Sequence, residues 1–333
     1  MSKRDFLPTL NIVTHGELKN LLFKILIGFL HSFSTCTMET CKWTQYVRGI
    51  PMPKLPFFPE KNITDAIDYI PKDGDVIICS YPKTGTSWLQ FIVQQILSKG
   101  QSLPQFSDLV TKIIPFIEKA GIDALDALTE PRIYKHCFSQ KVIPIRDNAK
   151  YLYIYRNPED VLISYYHFSA DIIQEKLTID DFMDDFLKGV WWYGDYCDHV
   201  MSFLSQSERD NVLVLTYESL ISNRKEEVLR LAKFLGEEYY KCLKGDEAIL
   251  DKIIEHTEFD YMKKNVAFIA PEIPKNNESS ELKERKVNFF RKGTVGDGKK
   301  SLTETQLKKL REHVASKIKG THLADKWLGN EQN

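Results

Sequence analysis

The sequence predicts a single-domain α/β fold, a central parallel sheet with helices on both faces, entered through a P-loop-like strand–loop–helix. Three observations carry this expectation. Short apolar runs alternate with stretches of helical periodicity, the pattern of a parallel sheet whose crossovers are helices. One of those runs, Val76–Cys79, opens through a Gly-containing turn directly into a helix. No internal repeat and no Gly/Ser linker divides the 333 residues, a length that a large α/β domain can use.

The elements follow in order. Val76–Cys79 reads as a buried strand, and Trp88, Leu89, Ile92, Val93, Ile96 and Leu97 recur at helical spacing over 86–98. Arg132–Tyr134 and Tyr151–Tyr155 read as further strands, the second ending at Arg156. Pro158 is preset for a first helical turn, so a helix is expected over 159–170, with Ser164 two turns in. Val212–Leu215 precedes a helix over 224–235, and another helix starts near Thr303. Pro274–Lys286 is polar and aperiodic, which suits either a solvated loop or a mobile lid.

The turn within Ser80–Trp88 (SYPKTGTSW) is the most informative segment. Free N–H groups of a first helical turn point at a ligand, and the helix dipole there favours negative charge. Lys83 adds a full positive charge, Gly85 the turn, and Thr86 and Ser87 hydroxyl donors. The Lys precedes the Gly, so this is not the GxxxxGK[ST] loop of nucleotide triphosphatases. Arg156 with Ser164, and the basic Gly-rich run Phe289–Lys299 (FFRKGTVGDGK), add two more anion-binding segments far apart in sequence. Together they suit a ligand with two separate phosphates.

Composition narrows the partners. The net charge of −1 gives no general affinity for nucleic acid, so anion binding rests on local basic groups. Six cysteines lack CxxC or Cys/His zinc spacing, which predicts no metal and a reducing, cytoplasmic location. The apolar stretch Leu21–Phe33 is short of a span and interrupted by Lys24. It admits a helix on the domain, a loose extension, a membrane anchor or a membrane-surface helix; membrane contact through 21–33 is not favoured.

Five ordered segments resemble the cytosolic sulfotransferase family, which uses 3′-phosphoadenosine 5′-phosphosulfate (PAPS). YPKTGTSW is similar to that family's 5′-phosphosulfate loop, RNPEDVLISYYHF to its 3′-phosphate segment and RKGTVGDGK to its C-terminal phosphate loop. Tyr217 in VLTYESL and Thr257–Met262 (TEFDYM) match two further cofactor segments. The resemblance runs from about Trp43 to Asp325 and leaves residues 1–42 as an extension before a domain over 43–333. It implies cofactor contacts from Lys83, Thr84, Gly85, Thr86, Ser87, Trp88, Arg156, Ser164, Tyr217, Thr257, Phe259, Met262, Phe290, Arg291, Lys292 and Gly293. The implied acceptor is a small hydrophobic phenol, alcohol, catecholamine or steroid, held by aromatics among Phe57, Phe58, Tyr165, Phe168, Trp191, Trp192 and Tyr193.

The resemblance also implies catalytic roles for Lys83 at the leaving oxygen, Ser164 beside it, and Lys135 and His136 at the acceptor. Here the sequence departs from the family. The family's Lys-Thr-His becomes Lys135-His136-Cys137, so in an unbroken strand His136 faces away from the acceptor and Cys137 faces it. A one-residue bulge would bring His136 in. Alternatively Cys137, or Lys135 with water, supports a slower reaction, or the chain binds PAPS without turnover. A nucleotide-kinase-like phosphotransferase is a further rival, lacking its loop motif and an evident Mg²⁺ ligand. Gly298 replaces a family Trp, which predicts looser packing there. Glu304 and Lys308 break the family's KxxxTVxxxE dimer segment, so that dimer is not predicted and the oligomeric state stays open.

Overall fold

The computed structural model describes residues 42–271, 284–287 and 290–329, and the architecture is that of the unit Trp43–Asn333. The expectations for residues 21–33, and for 274–283 as loop or lid, lie outside the described residues. Four parallel strands form the sheet in the order β4-β3-β5-β6: β3 (Val76–Ser80), β4 (Ile133–His136), β5 (Lys150–Tyr155) and β6 (Val212–Thr216). An antiparallel hairpin, β1 (Thr44–Val47) and β2 (Ile50–Pro53), precedes them. Its two-residue turn, Arg48-Gly49, has positive φ at both positions, which matches the twist of the flanking strands.

Helices α1 (Glu60–Asp68) and α2 (Thr86–Leu97) flank β3 in sequence. Short helical turns occupy 106–125, and α3 (Pro158–Ile173), α4 (Ile179–Lys188) and α5 (Tyr196–Leu204) lie between β5 and β6. After β6 come α6 (Tyr217–Ser222), α7 (Arg224–Leu235), α8 (Glu237–Gly245), α9 (Glu247–His256) and α10 (Phe259–Asn265). The small pair β7 (Ile269–Pro271) and β8 (Glu284–Lys286) places the end of the expected loop in a strand. The chain finishes with α11 (Asp297–Ser301), α12 (Glu304–Ile318) and α13 (His322–Leu328). Thr303 caps α12 in a reciprocal box with Gln306.

Alternation along β5 explains how both sheet faces are covered. Leu152 and Ile154 join Ile78 and Leu215 in the core with Leu89 and Ile92 of α2 and Leu231 of α7. Tyr151, Tyr153 and Tyr155 face the other way. There Tyr153 stacks on Phe203 of α5 with ring centroids 4.1 Å apart, and its hydroxyl meets His199 Nδ1 at 3.0 Å. At the sheet's opposite end, buried Asp75 takes both Arg132 Nε and Nη2 at 2.8 Å, clamping the entries to β3 and β4.

Candidate active site

All four strands deliver a side chain to the same edge of the sheet, beyond their carboxyl ends, where ligands bind in such folds. A cavity of about 220 Å³ opens there. Lys83, Gly85, Thr86, Ser87 and Trp88 line it after β3, Lys135 and Cys137 at the end of β4, Arg156 after β5 and Tyr217 after β6. Ser164, Phe259, Met262, Phe290, Arg291, Lys292 and Gly293, also expected, line it as well. Among the described residues the charged side chains on the wall are all basic: Lys83, Lys119, Lys135, Arg156, Arg224, Arg291 and Lys292.

Backbone geometry sets the loop before α2. Gly85 has φ 108°, and a Cβ on it would stand 2.8 Å from the Tyr217 ring, so no larger residue fits the bend. Lys83 also has positive φ, and its ammonium lies 4.3 Å from the centre of the Phe168 ring. Lys83 keeps partial accessibility, yet dense walls surround its ammonium. Burial, with repulsion from Arg156, Lys135 and Arg291, lowers its pKa to about 7.

Arg156 stacks on Tyr217, with the guanidinium 4.0 Å from the ring centre, and its Nη2 donates to Thr294 O at 2.7 Å. Asp160, fully buried on α3, pairs with Arg156 at 3.3 Å and accepts from Gly296 N at 2.9 Å and Gly298 N at 2.6 Å. One carboxylate thus fixes the strand-end Arg to the C-terminal basic loop. Asp297 pairs with both Arg291, at 2.6 Å, and Lys292, at 2.5 Å. Among the described residues the buried Nε groups of Arg156, Arg224 and Arg291 have no hydrogen-bond partner. Buried donors on a basic wall are what an anionic ligand would satisfy.

Several expectations change. Thr84 and Thr257 do not line the cavity: Thr84 Oγ1 donates to Tyr81 O and Ile154 O, pinning the loop, and Thr257 O accepts from Trp88 Nε1 at 2.8 Å. Trp191 is buried away from the cavity, whereas Phe57, Phe58, Tyr165, Phe168, Trp192 and Tyr193 line it. Gly298 does not loosen its loop. A Cβ there would stand 2.2 Å from Glu159 backbone, so its absence lets α11 close onto α3.

The bulge that would bring His136 into the site is absent. β3 and β4 pair regularly from Val76↔Ile133 to Cys79↔His136, so alternation holds. His136 turns to the tyrosine face, with Nε2 3.4 Å from Cys79 Sγ and Nδ1 accepting from Phe138 N at 3.2 Å. Burial, and then the neighbouring His199, lower its pKa to about 3. Cys137 takes the cavity side, its thiol pushed up to about 12 by burial. Lys135 also lines the cavity, with Nζ 3.9 Å from the Phe116 ring centre.

Sequence reasoning passed over Arg224, Asp160, Asp297 and Glu118. Arg224 opens α7 and lies 5.3 Å over Trp88. Glu118, fully buried, accepts from Cys137 N at 2.7 Å. Asp160 and Asp297 carry a signal in hindsight: each is an acid beside a basic anion-binding segment.

A parallel sheet that delivers a lysine-bearing helix start and several guanidinium groups to one pocket defines an α/β protein with a site for an anionic ligand. Comparison with known proteins specifies the family. A sulfotransferase domain model matches residues 73–322. Human sulfotransferase 1C2 is 32% identical over 264 residues, covering 76% of this chain and 86% of that one. A guinea pig (Cavia porcellus) 3-beta-hydroxysteroid sulfotransferase is 34% identical over 285 residues, covering 83% and 95%. The crystal structure of mouse sulfotransferase SULT7A1 complexed with PAP shares the fold, with a TM-score of 0.67 at 22% identity over 86% of this chain and 97% of that one. The chain belongs to the sulfotransferase domain family and is a sulfotransferase. That membership favours the enzyme over both the phosphotransferase and the non-catalytic binder.

Proposed function

We propose that the sulfuryl donor is PAPS and that the acceptor is a hydroxyl on a small hydrophobic molecule. One observation carries the reading: three segments distant in sequence line one cavity with basic groups and unsatisfied guanidinium N–H groups. When bound, the donor supplies an activated sulfuryl group on a phosphate oxygen. The first turn of α2, Lys83, Thr86 and Ser87 would hold the 5′ end. Arg156, Ser164, Arg291 and Lys292 would hold the 3′-phosphate, where an Arg can fork onto two oxygens. Trp88, Tyr217, Phe259, Met262 and Phe290 would wall the adenine. No metal is needed, since basic side chains supply the positive charge.

Lys83, as a cation, would stabilise the charge that develops on the leaving oxygen. On the acceptor side, Pro53, Leu55, Phe57, Phe58, Phe116 and Trp192 offer an apolar, aromatic wall suited to a phenol or a steroid-like alcohol. With Lys119 and Lys135 on that cavity and no carboxylate among its described lining residues, an acceptor that carries an ammonium group, such as a catecholamine, is disfavoured. Buried free thiols at Cys79, Cys137 and Cys197 support a cytoplasmic location. Among the described residues no helix is long and apolar enough to cross a membrane.

The test is direct. Purified protein is incubated with labelled PAPS and a panel of phenols, steroids and catecholamines, and label transfer is followed. Saturable binding of adenosine 3′,5′-bisphosphate (PAP) together with transfer to a hydroxyl supports the proposal. Absence of PAP binding refutes the donor.

A further inference from the structure

Sulfuryl transfer to a hydroxyl requires somewhere for the hydroxyl proton to go. His136 is turned away, and the Cys137 thiol is far from ionising at neutral pH. Behind Cys137 lies Glu118, on the short helix Ile117–Ala120, with no exposure to solvent. Its Oε1 is occupied by Cys137 N, whereas its Oε2 has no hydrogen-bond partner. Among the described residues the Tyr193 hydroxyl likewise has no partner in good hydrogen-bond geometry, yet it lies close enough to Glu118 for the two side chains to act on each other's ionisation as hydrogen-bonding neighbours.

Tyr193 lines the cavity. Its backbone sits at φ 71°, a region that bulky residues seldom occupy, and Tyr193 N is tied to Pro51 O at 2.7 Å. Strain of this kind costs about 1–3 kcal/mol, persists only where the surroundings enforce it, and clusters at functional sites. An orphaned carboxylate oxygen, an orphaned phenol and an enforced backbone thus coincide on the acceptor side of the pocket.

We propose that Tyr193 and Glu118 form a proton relay for the acceptor, Tyr193 Oη taking the acceptor's hydroxyl proton as its own proton passes to Glu118 Oε2. This relay rests on the sulfuryl-transfer reading above. The acceptor O–H bond breaks and its electron pair forms the new O–S bond. The S–O bond to the donor's phosphate breaks, and that pair leaves with the phosphate. Tyr193 touches the acceptor, and Glu118 acts through it.

The pH dependence follows from the groups around Glu118: Lys135 and Cys137 at the end of β4, Cys79 on β3 and Tyr193. Burial raises the Glu118 pKa to about 8, against the Cys137 amide and the Lys135 ammonium, which pull it down. Burial and the Glu118 charge hold the Tyr193 phenol well above its ordinary value, so Tyr193 relays a proton rather than storing an anion. Because the relay needs the carboxylate, kcat/KM rises with pH through about 8.

The experiment measures kcat/KM against pH with a phenol acceptor and, separately, PAP affinity by calorimetry, on the full chain. Glu118→Gln is expected to lower kcat/KM about 100-fold and abolish the rise, and Tyr193→Phe to lower it by a similar factor, while PAP affinity changes less than about threefold. Adding Cys137→His to Glu118→Gln places an imidazole on the cavity side and is expected to restore at least about tenfold of the lost rate. The relay is overturned if both single variants keep the wild-type rate, if Glu118→Gln keeps the rise, or if PAP affinity falls as far as the rate in both. A wild-type chain that does not bind PAP overturns the donor assignment and the relay with it. One that binds PAP and turns over, with unchanged variants, overturns the relay alone.

Discussion

Lys83→Met removes a cation whose protonation depends on what fills the cavity. In the empty site, burial and basic neighbours lower the Lys83 pKa from 10.5 to about 7. A phosphate against the ammonium favours the charged form, so binding draws in a proton and the bound pKa moves back toward its ordinary value. Linkage then gives the sign: affinity for PAP is full below about 7 and weakens as pH rises through and beyond that midpoint. With full recovery in the bound state, Kd rises about 20-fold from about pH 7.5 to about pH 9. The second ionisation of a phosphate lies near about 6, below that window. Calorimetric titration of PAP at several pH values measures the slope, and Lys83→Met is expected to flatten it to under about threefold. Any contribution from Glu118, which titrates near about 8, survives in Lys83→Met, so the difference isolates the lysine. A wild-type slope equal to the variant's would refute the reasoning.

Four further outcomes test the rest. Arg156→Lys keeps the charge but loses the fork and the stacking on Tyr217, and should weaken PAP binding by about 10- to 100-fold, read by calorimetry. Gly85→Ala forces a Cβ to 2.8 Å from Tyr217, so PAP affinity should fall in a chain with native circular dichroism; unchanged affinity would mean the loop conformation is not required. Asp75→Ala takes a buried carboxylate away from the half-buried Arg132 guanidinium, which keeps its hydrogen bond to the Tyr69 hydroxyl, and should cost about 1–3 kcal/mol in urea unfolding, far from the pocket. Among acceptors of similar size, a phenol should be sulfated with higher kcat/KM than a primary amine; the reverse order would contradict the basic wall.

Legibility in the sequence followed the range of the interaction. The four sheet strands and the helices at 86–97, 158–173 and 224–235 announce themselves through local periodicity, and the structure places them within a few residues of expectation. The sequence left the register of β4 open between His136 and Cys137, and the undisturbed strand puts Cys137 on the cavity side and His136 away from it. Glu118, Asp160 and Asp297 were not legible in the same way. Glu118 reaches Cys137 N across 19 residues through turns that carry no periodic signal, and Asp160 meets Gly298 across 138. The Arg48-Gly49 hairpin went unread although its turn chemistry is local, because Arg is an unusual occupant of a positive-φ position.

Separation of charge into two layers couples the protonation of Lys83 to what occupies the site. The wall is basic, and its balancing carboxylates Asp160 and Asp297 lie behind or beside it, committed to Arg156, Arg291, Lys292 and backbone N–H groups. Burial and the neighbouring cations together lower the Lys83 pKa to about 7. A polyanionic donor would offset that repulsion and favour the charged form of Lys83. The protonation of Lys83 in the reacting complex depends on which ligands are present and not on the order in which they arrived, so electrostatics ties the charge that the transition state needs to donor binding itself.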